Sequence, residues 1–206
     1  MASLLLRGFA LGFAIAASPG PIFFLCLRRT LIRGWRHGLV SGFGVATADG
    51  FYAALAAFGV GAITSVLVGQ QRWLALGGGA VLIAIGVKTT FERRPAADVA
   101  AAANGAGLVW DYLSTLGLTI TNPSTIISFA ALVAALGIGL QGGYLPPGLV
   151  VVGVFLGSAT WWCVLAALAA GLRARMTAQM VRGISVISAI AIASLGLLAL
   201  LSALST

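Results

Sequence analysis

Ala17-Ser18-Pro19-Gly20-Pro21 interrupts an apolar segment near the amino terminus, and Thr121-Asn122-Pro123 interrupts a second apolar segment 104 residues later. Each segment is long enough to cross a bilayer, and each break lies near its middle. Proline cannot donate the helical hydrogen bond, so inside a membrane the carbonyl that it leaves unpaired needs protein or water as a partner. Two broken spans at corresponding places in two halves are typical of a transporter binding site.

The composition indicates an integral membrane protein. Of the 206 residues, 60% are hydrophobic and only 8% are charged, and the mean hydropathy is +1.08. Too few polar side chains remain to cover the surface of a soluble globule. We predict an all-α polytopic membrane protein with six transmembrane helices, at residues 4–27, 38–62, 73–90, 112–138, 147–171 and 183–203.

The basic residues predict the orientation of the chain. Ten of the twelve flank the odd-numbered loops of this arrangement: Arg28, Arg29, Arg33, Arg36, Lys88, Arg93, Arg94, Arg173, Arg175 and Arg182. By the positive-inside rule these loops are cytoplasmic, which places both termini on the periplasmic side of a bacterial inner membrane. The net charge of +8 therefore reports topology, and we expect no nucleic-acid partner.

The second half of the sequence resembles the first at a constant offset. Gly38-Leu39-Val40 recurs as Gly148-Leu149-Val150, and Phe51-Tyr52 corresponds to Trp161-Trp162. Because each half holds three spans, an odd number, the second half must cross the membrane in the opposite sense. We therefore predict a 3+3 inverted-topology repeat with proline-broken helices 1 and 4. The predicted parts are a first repeat at residues 1–90, a cytoplasmic linker at 91–111 and a second repeat at 112–206.

The proline breaks provide a candidate binding site. The prolines are predicted to free two carbonyls, that of Ile15 through Pro19 and that of Ala17 through Pro21. The half-helix that follows Pro21 presents amides that attract an anion such as a carboxylate. Asn122 adds a donor and an acceptor at the second break. The predicted substrate-binding residues are Ser18, Pro19, Gly20, Pro21, Thr121, Asn122 and Pro123. A packing kink without a ligand is the alternative for each break.

Asp49 is the single acidic residue predicted deep in the membrane, about 11 residues into span two. A carboxyl at this depth is costly unless it is paired, protonated or hydrated. Its helix face carries small side chains that suit a close helix contact: Gly38, Gly42, Val45, Ala46, Ala53 and Ala56. We expect Asp49 to face the bundle interior, either as a proton-coupling carboxyl or as a structural carboxyl that is hydrogen-bonded across helices.

Other polar and aromatic residues are predicted to have no part in the site. His37 is expected to be a solvated loop residue, and Ser114 to lie nearly two turns before the second break and away from it. The Trp161-Trp162 pair is expected to pack or to meet lipid. Cys26 and Cys163 lack the spacing of a metal or redox motif, so we predict no metal and no cofactor.

Five motifs carry a resemblance to a known family: Ala17-Ser18-Pro19-Gly20-Pro21, Cys26-Leu27-Arg28-Arg29-Thr30-Leu31, Ala46-Thr47-Ala48-Asp49-Gly50, Thr119-Ile120-Thr121-Asn122-Pro123 and Ile127-Ser128-Phe129. Together they resemble the lysine-exporter (LysE/RhtB-like) amino-acid exporters over essentially the whole chain. The resemblance implies a secondary active transporter that exports a small amphoteric solute, an amino acid or a derivative, by proton antiport. The expected partners are the solute, protons and membrane lipid, and a homo-oligomer remains open.

Two other classes are weighed against the exporter. Membrane electron carriers of similar architecture carry cysteines beside the breaks, where this chain has Ser18, Gly20, Asn122 and Ser124. A membrane-embedded hydrolase would need a serine-histidine or histidine-glutamate constellation, which the sequence does not offer. We therefore predict a protein that is not an enzyme and that has no nucleotide-binding loop.

Overall fold

The computed structural model describes residues 1–58, 70–91, 105–122, 125, 128–129, 144–173 and 177–205. Within these ranges the chain forms seven long helices and no strand: α1 (Ala2–Ala16), α2 (Pro21–Arg33), α3 (Trp35–Ala57), α4 (Gln71–Phe91), α5 (Gly105–Ile120), α6 (Leu145–Arg173) and α7 (Ala178–Ser205). The predicted all-helical class is confirmed for this part of the chain.

The helices occupy the positions of predicted spans. Helices α3, α4, α6 and α7 correspond to spans two, three, five and six, and span one is divided between α1 and α2, which are bent by 80° at the first break. Among the described residues, α3 and α6 are long and apolar enough to cross a membrane, and the bent pair adds a third crossing if it counts as one span. Helix α5 begins at Gly105, so residues 105–111 of the predicted linker form its first two turns.

The side chains are distributed as in a protein surrounded by lipid. Large apolar side chains are exposed on several helices, among them Trp73, Val81, Leu156, Leu168, Ile190 and Leu198. Small polar side chains are buried instead, among them Thr30, Ser41, Thr115, Thr119, Ser158 and Ser188. Soluble proteins bury their large apolar side chains, whereas membrane helices place small and polar residues at their contacts.

Glycines bring α1 and α6 into backbone contact along a line that we call the glycine seam: Gly8, Gly12, Gly153 and Gly157. A Cβ at Gly8 would overlap the carbonyl oxygen of Val150, and a Cβ at Gly12 would overlap the carbonyl one turn further along α6. A Cβ at Gly153 or Gly157 would overlap the backbone of α1 in turn. Along these contacts the residue numbers of α1 and α6 increase together, so the two helices run in the same direction. Close backbone approach of this kind drives helix association in membranes.

Helices α3 and α5 also run in the same direction and are joined along their length. Thr115 donates from Oγ1 to the carbonyl of Ser41 at 2.8 Å, and further along both helices the hydroxyl of Tyr52 donates to the carbonyl of Ile120. The Tyr112 hydroxyl adds a bond to Thr47 Oγ1 at 2.9 Å. Gly44 lies directly against the α5 backbone. The first helix of each half therefore packs on the second span of the other half, α1 on α6 and α5 on α3.

Helix α2 contacts α3, α5, α6 and α7, which places it inside the described bundle. It ends at Gly34, whose φ of 102° lies in the left-handed region that favours glycine. Helix α3 starts at the next residue, so α2 and α3 form a tight hairpin. Thr30 consequently lies against Gly38, where a Cβ would overlap the threonine hydroxyl.

Candidate functional site

Helix α1 ends in a hydrogen-bonded turn directly before the first break. The amide of Ser18 donates to the carbonyl of Ile15 at 3.2 Å, which is the carbonyl that Pro19 is predicted to leave free. The prediction is wrong at this atom, because a tighter i to i+3 bond replaces the helical bond that proline cannot make. Ser18 and Pro19 are exposed, so the turn itself is open.

The amide side of the first break has space beside it. Gly20 has an extended backbone (φ −151°, ψ −176°), and Pro21 opens α2 at the position where a missing N–H costs no hydrogen bond. Among the described residues, no side chain caps the first turn of α2, and a Cβ at Gly20 would meet no atom within 4 Å. Anion binding at this helix start stays a prediction, and the geometry leaves room for it.

Helix α5 ends at Ile120, directly before the second break. Tyr52 of α3 donates its hydroxyl to the Ile120 carbonyl. This bond satisfies a carbonyl that the end of a helix leaves without an intrahelical partner. Sequence reasoning missed Tyr52, which it treated only as part of an aromatic pair, because the acceptor lies 68 residues away.

The polar residues of the second break are bonded mainly to nearby backbone. The amide of Asn122 donates to the carbonyl of Thr119 at 3.2 Å, and the carbonyl of Asn122 accepts from the amide of Thr125 at 3.1 Å. Thr121 donates from Oγ1 to the carbonyl one turn back at 2.9 Å. Pro123 lies outside the described residues.

Both breaks border one apolar cluster. Leu25 lies one turn after the first break and Leu118 one turn before the second, and these residues pack with Leu82 and Ile192. The two breaks therefore approach the same region of the bundle. A ligand shared between them stays a prediction.

Asp49 lies where α3 packs on α6. It is 2% exposed, and Ser158 donates from Oγ to its Oδ2 at 2.7 Å. The expectation that Asp49 faces the bundle interior is confirmed. The next residue, Gly50, lies beside Phe155 of α6. The bond from Ser158 fits both interpretations of Asp49, because ionised and protonated carboxyls both accept from a hydroxyl.

A second buried carboxyl, that of Asp111 on α5, is surrounded by basic groups. Its Oδ1 lies 3.3 Å from Nε of Arg29 and 3.2 Å from Nη1 of Arg33, and its Oδ2 lies 2.5 Å from Nδ1 of His37. The Asp111 side chain is 0% exposed. We call these four residues the charged cluster, which joins α2 and α3 to α5.

Arg29 is held at every nitrogen of its guanidinium. Besides the contact of Nε with Asp111, Nη1 donates to Ser41 Oγ and to the Asp111 carbonyl, both at 2.9 Å. Nη2 donates to Ser114 Oγ at 2.8 Å. A buried charge is tolerated when it is both paired and hydrogen-bonded, and Arg29 is paired with Asp111 and has a partner at each of its three nitrogens.

The charged cluster corrects one expectation. His37 is 6% exposed and contacts Asp111, so it is not a solvated loop residue. Ser114, which was expected only to lie away from the second break, accepts from Arg29 and is part of this polar network. Asp111 is a second buried acidic residue beside Asp49, and it stands one residue before predicted span four. The sequence signal for this cluster is the carboxyl of Asp111 among apolar neighbours, because such a carboxyl needs a basic partner.

Two buried indole groups have no hydrogen-bond acceptor among the described residues: Nε1 of Trp161 and Nε1 of Trp162. Trp162 is 3% exposed and packs in a cluster with Ala16 and Ile22, which flank the first break. Trp161 is half-buried and lies edge-on to Phe13 of α1, with ring centroids 5.3 Å apart. Buried N–H groups normally have a partner, so both donors call for an explanation.

Comparison with protein families adds an independent finding. A family model described as LysE type translocator matches residues 13–203. The match takes in both breaks, Asp49, the charged cluster and the two tryptophans. No curated protein and no solved structure gives a significant match.

Proposed function

Because the chain belongs to the LysE type translocator family, whose members are transporters and not enzymes, we propose that it exports a small amphoteric solute in exchange for protons. The solute class that we propose is an amino acid or a derivative of one. Its energy source would then be the proton gradient, which makes the protein a secondary active transporter.

The observation that carries the proposal is the contrast between the two buried carboxyls. Asp111 is matched by cationic groups, whereas the hydrogen bond described for Asp49 comes from the neutral hydroxyl of Ser158. A buried carboxylate without a cation is costly, so it favours binding a proton or a positively charged ligand. Asp49 is therefore the carboxyl available for exchange, and Asp111 is the structural one.

Antiport follows if the proton and the solute ammonium compete for Asp49. A proton on the carboxyl removes the charge that attracts the ammonium, and release of the proton restores it. Each occupancy excludes the other, so the protein carries the solute in one direction and the proton in the other. This competition requires no second titrating group.

We further propose that the six spans form the predicted inverted repeat. The contact of Gly12 with Val154 has a counterpart in the contact of Leu116 with Gly44. Leu116 lies 104 residues after Gly12, the offset between the two breaks, and Val154 lies 110 residues after Gly44, the offset between the second spans. With the 110-residue offset of the second spans, the position equivalent to Asp49 is the one directly after Ser158. This supports a coupling site at the interface of the repeats, where such transporters bind their substrates.

The orientation that we propose is the one the basic residues predict, in a bacterial inner membrane with both termini periplasmic. The charged cluster then lies near the cytoplasmic ends of α2, α3 and α5. The first break lies at the other end of α2, which is further from the cytoplasm and toward the membrane interior. Export would carry the solute from the cytoplasm past the breaks.

Transport by purified protein in proteoliposomes tests the proposal. With a proton gradient imposed, we expect the wild type to move at least one of the standard amino acids. Asp49→Asn should abolish gradient-driven transport while it leaves solute exchange, because asparagine keeps the shape and loses the proton. Ser158→Ala is the matched control, since it removes the hydroxyl and keeps the carboxyl. Gradient-driven transport that persists in Asp49→Asn would make Asp49 a structural residue.

A further inference from the structure

We propose that the indole N–H of Trp162 binds the carboxylate of the transported solute, beside the first break. This inference rests on the proposed function and names the group that recognises the anionic end of the solute. The family match assigns no role to this side chain, and the sequence predicts only packing or contact with lipid for it.

The first ground is the unpaired donor itself. Trp162 is 3% exposed, and its Nε1 has no acceptor among the residues that the structure describes. Its neighbours in the cluster include Val45, Ala46 and Ala159, whose side chains offer no acceptor. Burial on this scale also keeps the indole away from lipid headgroups. Because no described residue is its partner, we assign this donor to a ligand that enters the bundle.

The second ground is the chemistry of the surroundings. Ile22, which packs with Trp162, is the second residue of α2, and the first turn of α2 has no side-chain cap. Space adjoins Gly20 at the same turn. Indole and backbone amide groups are all donors, so they suit a ligand that is rich in acceptors. A carboxylate at a helix start satisfies both the donors and the helix dipole.

The third ground is the position of Trp162 on α6, one turn from the residue that bonds to Asp49. Ser158, which bonds to Asp49, precedes Trp162 by one helical turn on the same face of α6, or about 6 Å along the axis. An amphoteric solute can therefore place its carboxylate at Trp162 and its ammonium toward Asp49. The arrangement selects solutes whose two charges are close together, as in an α-amino acid.

Trp162→Phe tests the inference, because phenylalanine keeps an aromatic ring and removes the N–H. In proteoliposomes we expect KM for the transported amino acid to rise about tenfold, as for the loss of one hydrogen bond to a charged group. Phenylalanine is smaller than tryptophan, so we expect the lost packing to lower the melting temperature moderately, and the rise in KM is compared among variants that remain folded. Trp73→Phe, on an exposed tryptophan of α4, is the matched control and should transport as the wild type does.

Fluorine NMR of protein labelled with fluorotryptophan reports the contact directly. We expect the Trp162 signal, assigned by its absence in Trp162→Phe, to shift with the standard amino acids and not with their methyl esters. Amino acids that are transported without moving this signal, or with unchanged KM in Trp162→Phe, would overturn the inference. A signal that moves while no amino acid is transported would refute the proposed function and leave the binding site standing. Absence of both effects would refute both proposals.

Discussion

Replacing Asp111 by asparagine should destabilise the protein strongly, because it leaves the buried guanidinium of Arg29 without a counter-charge. The side chains of Asp111 and Arg29 are 0% and 9% exposed, so solvent screens their interaction little. Removing one partner of a buried ion pair costs about 3 to 5 kcal/mol. Arg29 keeps its bonds to Ser41 and Ser114, so we expect a value near the lower end, about 3 kcal/mol.

Thermal unfolding of the purified protein measures this change. For a chain of this length about 3 kcal/mol corresponds to a fall in Tm of roughly 6 to 12 °C. Arg36→Gln is the control, because Arg36 is exposed, lies over the Trp35 ring at 5.8 Å and does not belong to the charged cluster. Its loss should cost less than about 1 kcal/mol.

A double-mutant cycle separates the ion pair from general damage to the fold. Arg29→Met and Asp111→Asn should each destabilise, and the double variant should be less destabilised than their sum by about 1 to 3 kcal/mol. A Tm of Asp111→Asn equal to that of the wild type would refute the reasoning. Strict additivity in the cycle would show that the two residues do not interact.

Two further predictions concern packing and topology. Gly12→Leu should prevent the contact of α1 with α6 and lower the yield of folded protein. Gly77→Leu is the control and should not, because a Cβ at Gly77 meets no described atom within 4 Å. Size-exclusion profiles of the purified variants measure the difference. In a cysteine-free background, cysteines introduced at Gly105 and Gln179 should resist an impermeant thiol reagent in intact cells, while one at Gln141 should react. Labelling in the reverse pattern would invert the proposed orientation.

Features fixed by local chemistry could be predicted from the sequence. Pro19 and Pro21 cannot continue a helix, and the structure ends α1 at Ala16 and starts α2 at Pro21. Asp49 in an apolar segment had to face protein, and it does. Each of these conclusions needs only the residue and its neighbours along the chain.

Features that depend on distant pairing could not be predicted in the same way. Arg29 was counted among loop charges, because its partner Asp111 lies 82 residues away and was assigned to the linker. Burial of His37 follows from the same carboxyl. The unpaired indole of Trp162 is visible only when the helices around it are in place, since an isolated sequence cannot show which acceptors are missing.

The glycine seam has a consequence for how the protein is made. The residues that cover Gly8 and Gly12 are translated about 140 residues later, which at 5 to 20 residues per second is a delay of roughly 7 to 28 s. During that time the glycine surface of α1 contacts the insertion machinery or lipid, because α6 is not yet present to pack on it. Truncated chains that stop before α6 should therefore be preferred targets of membrane quality-control proteases.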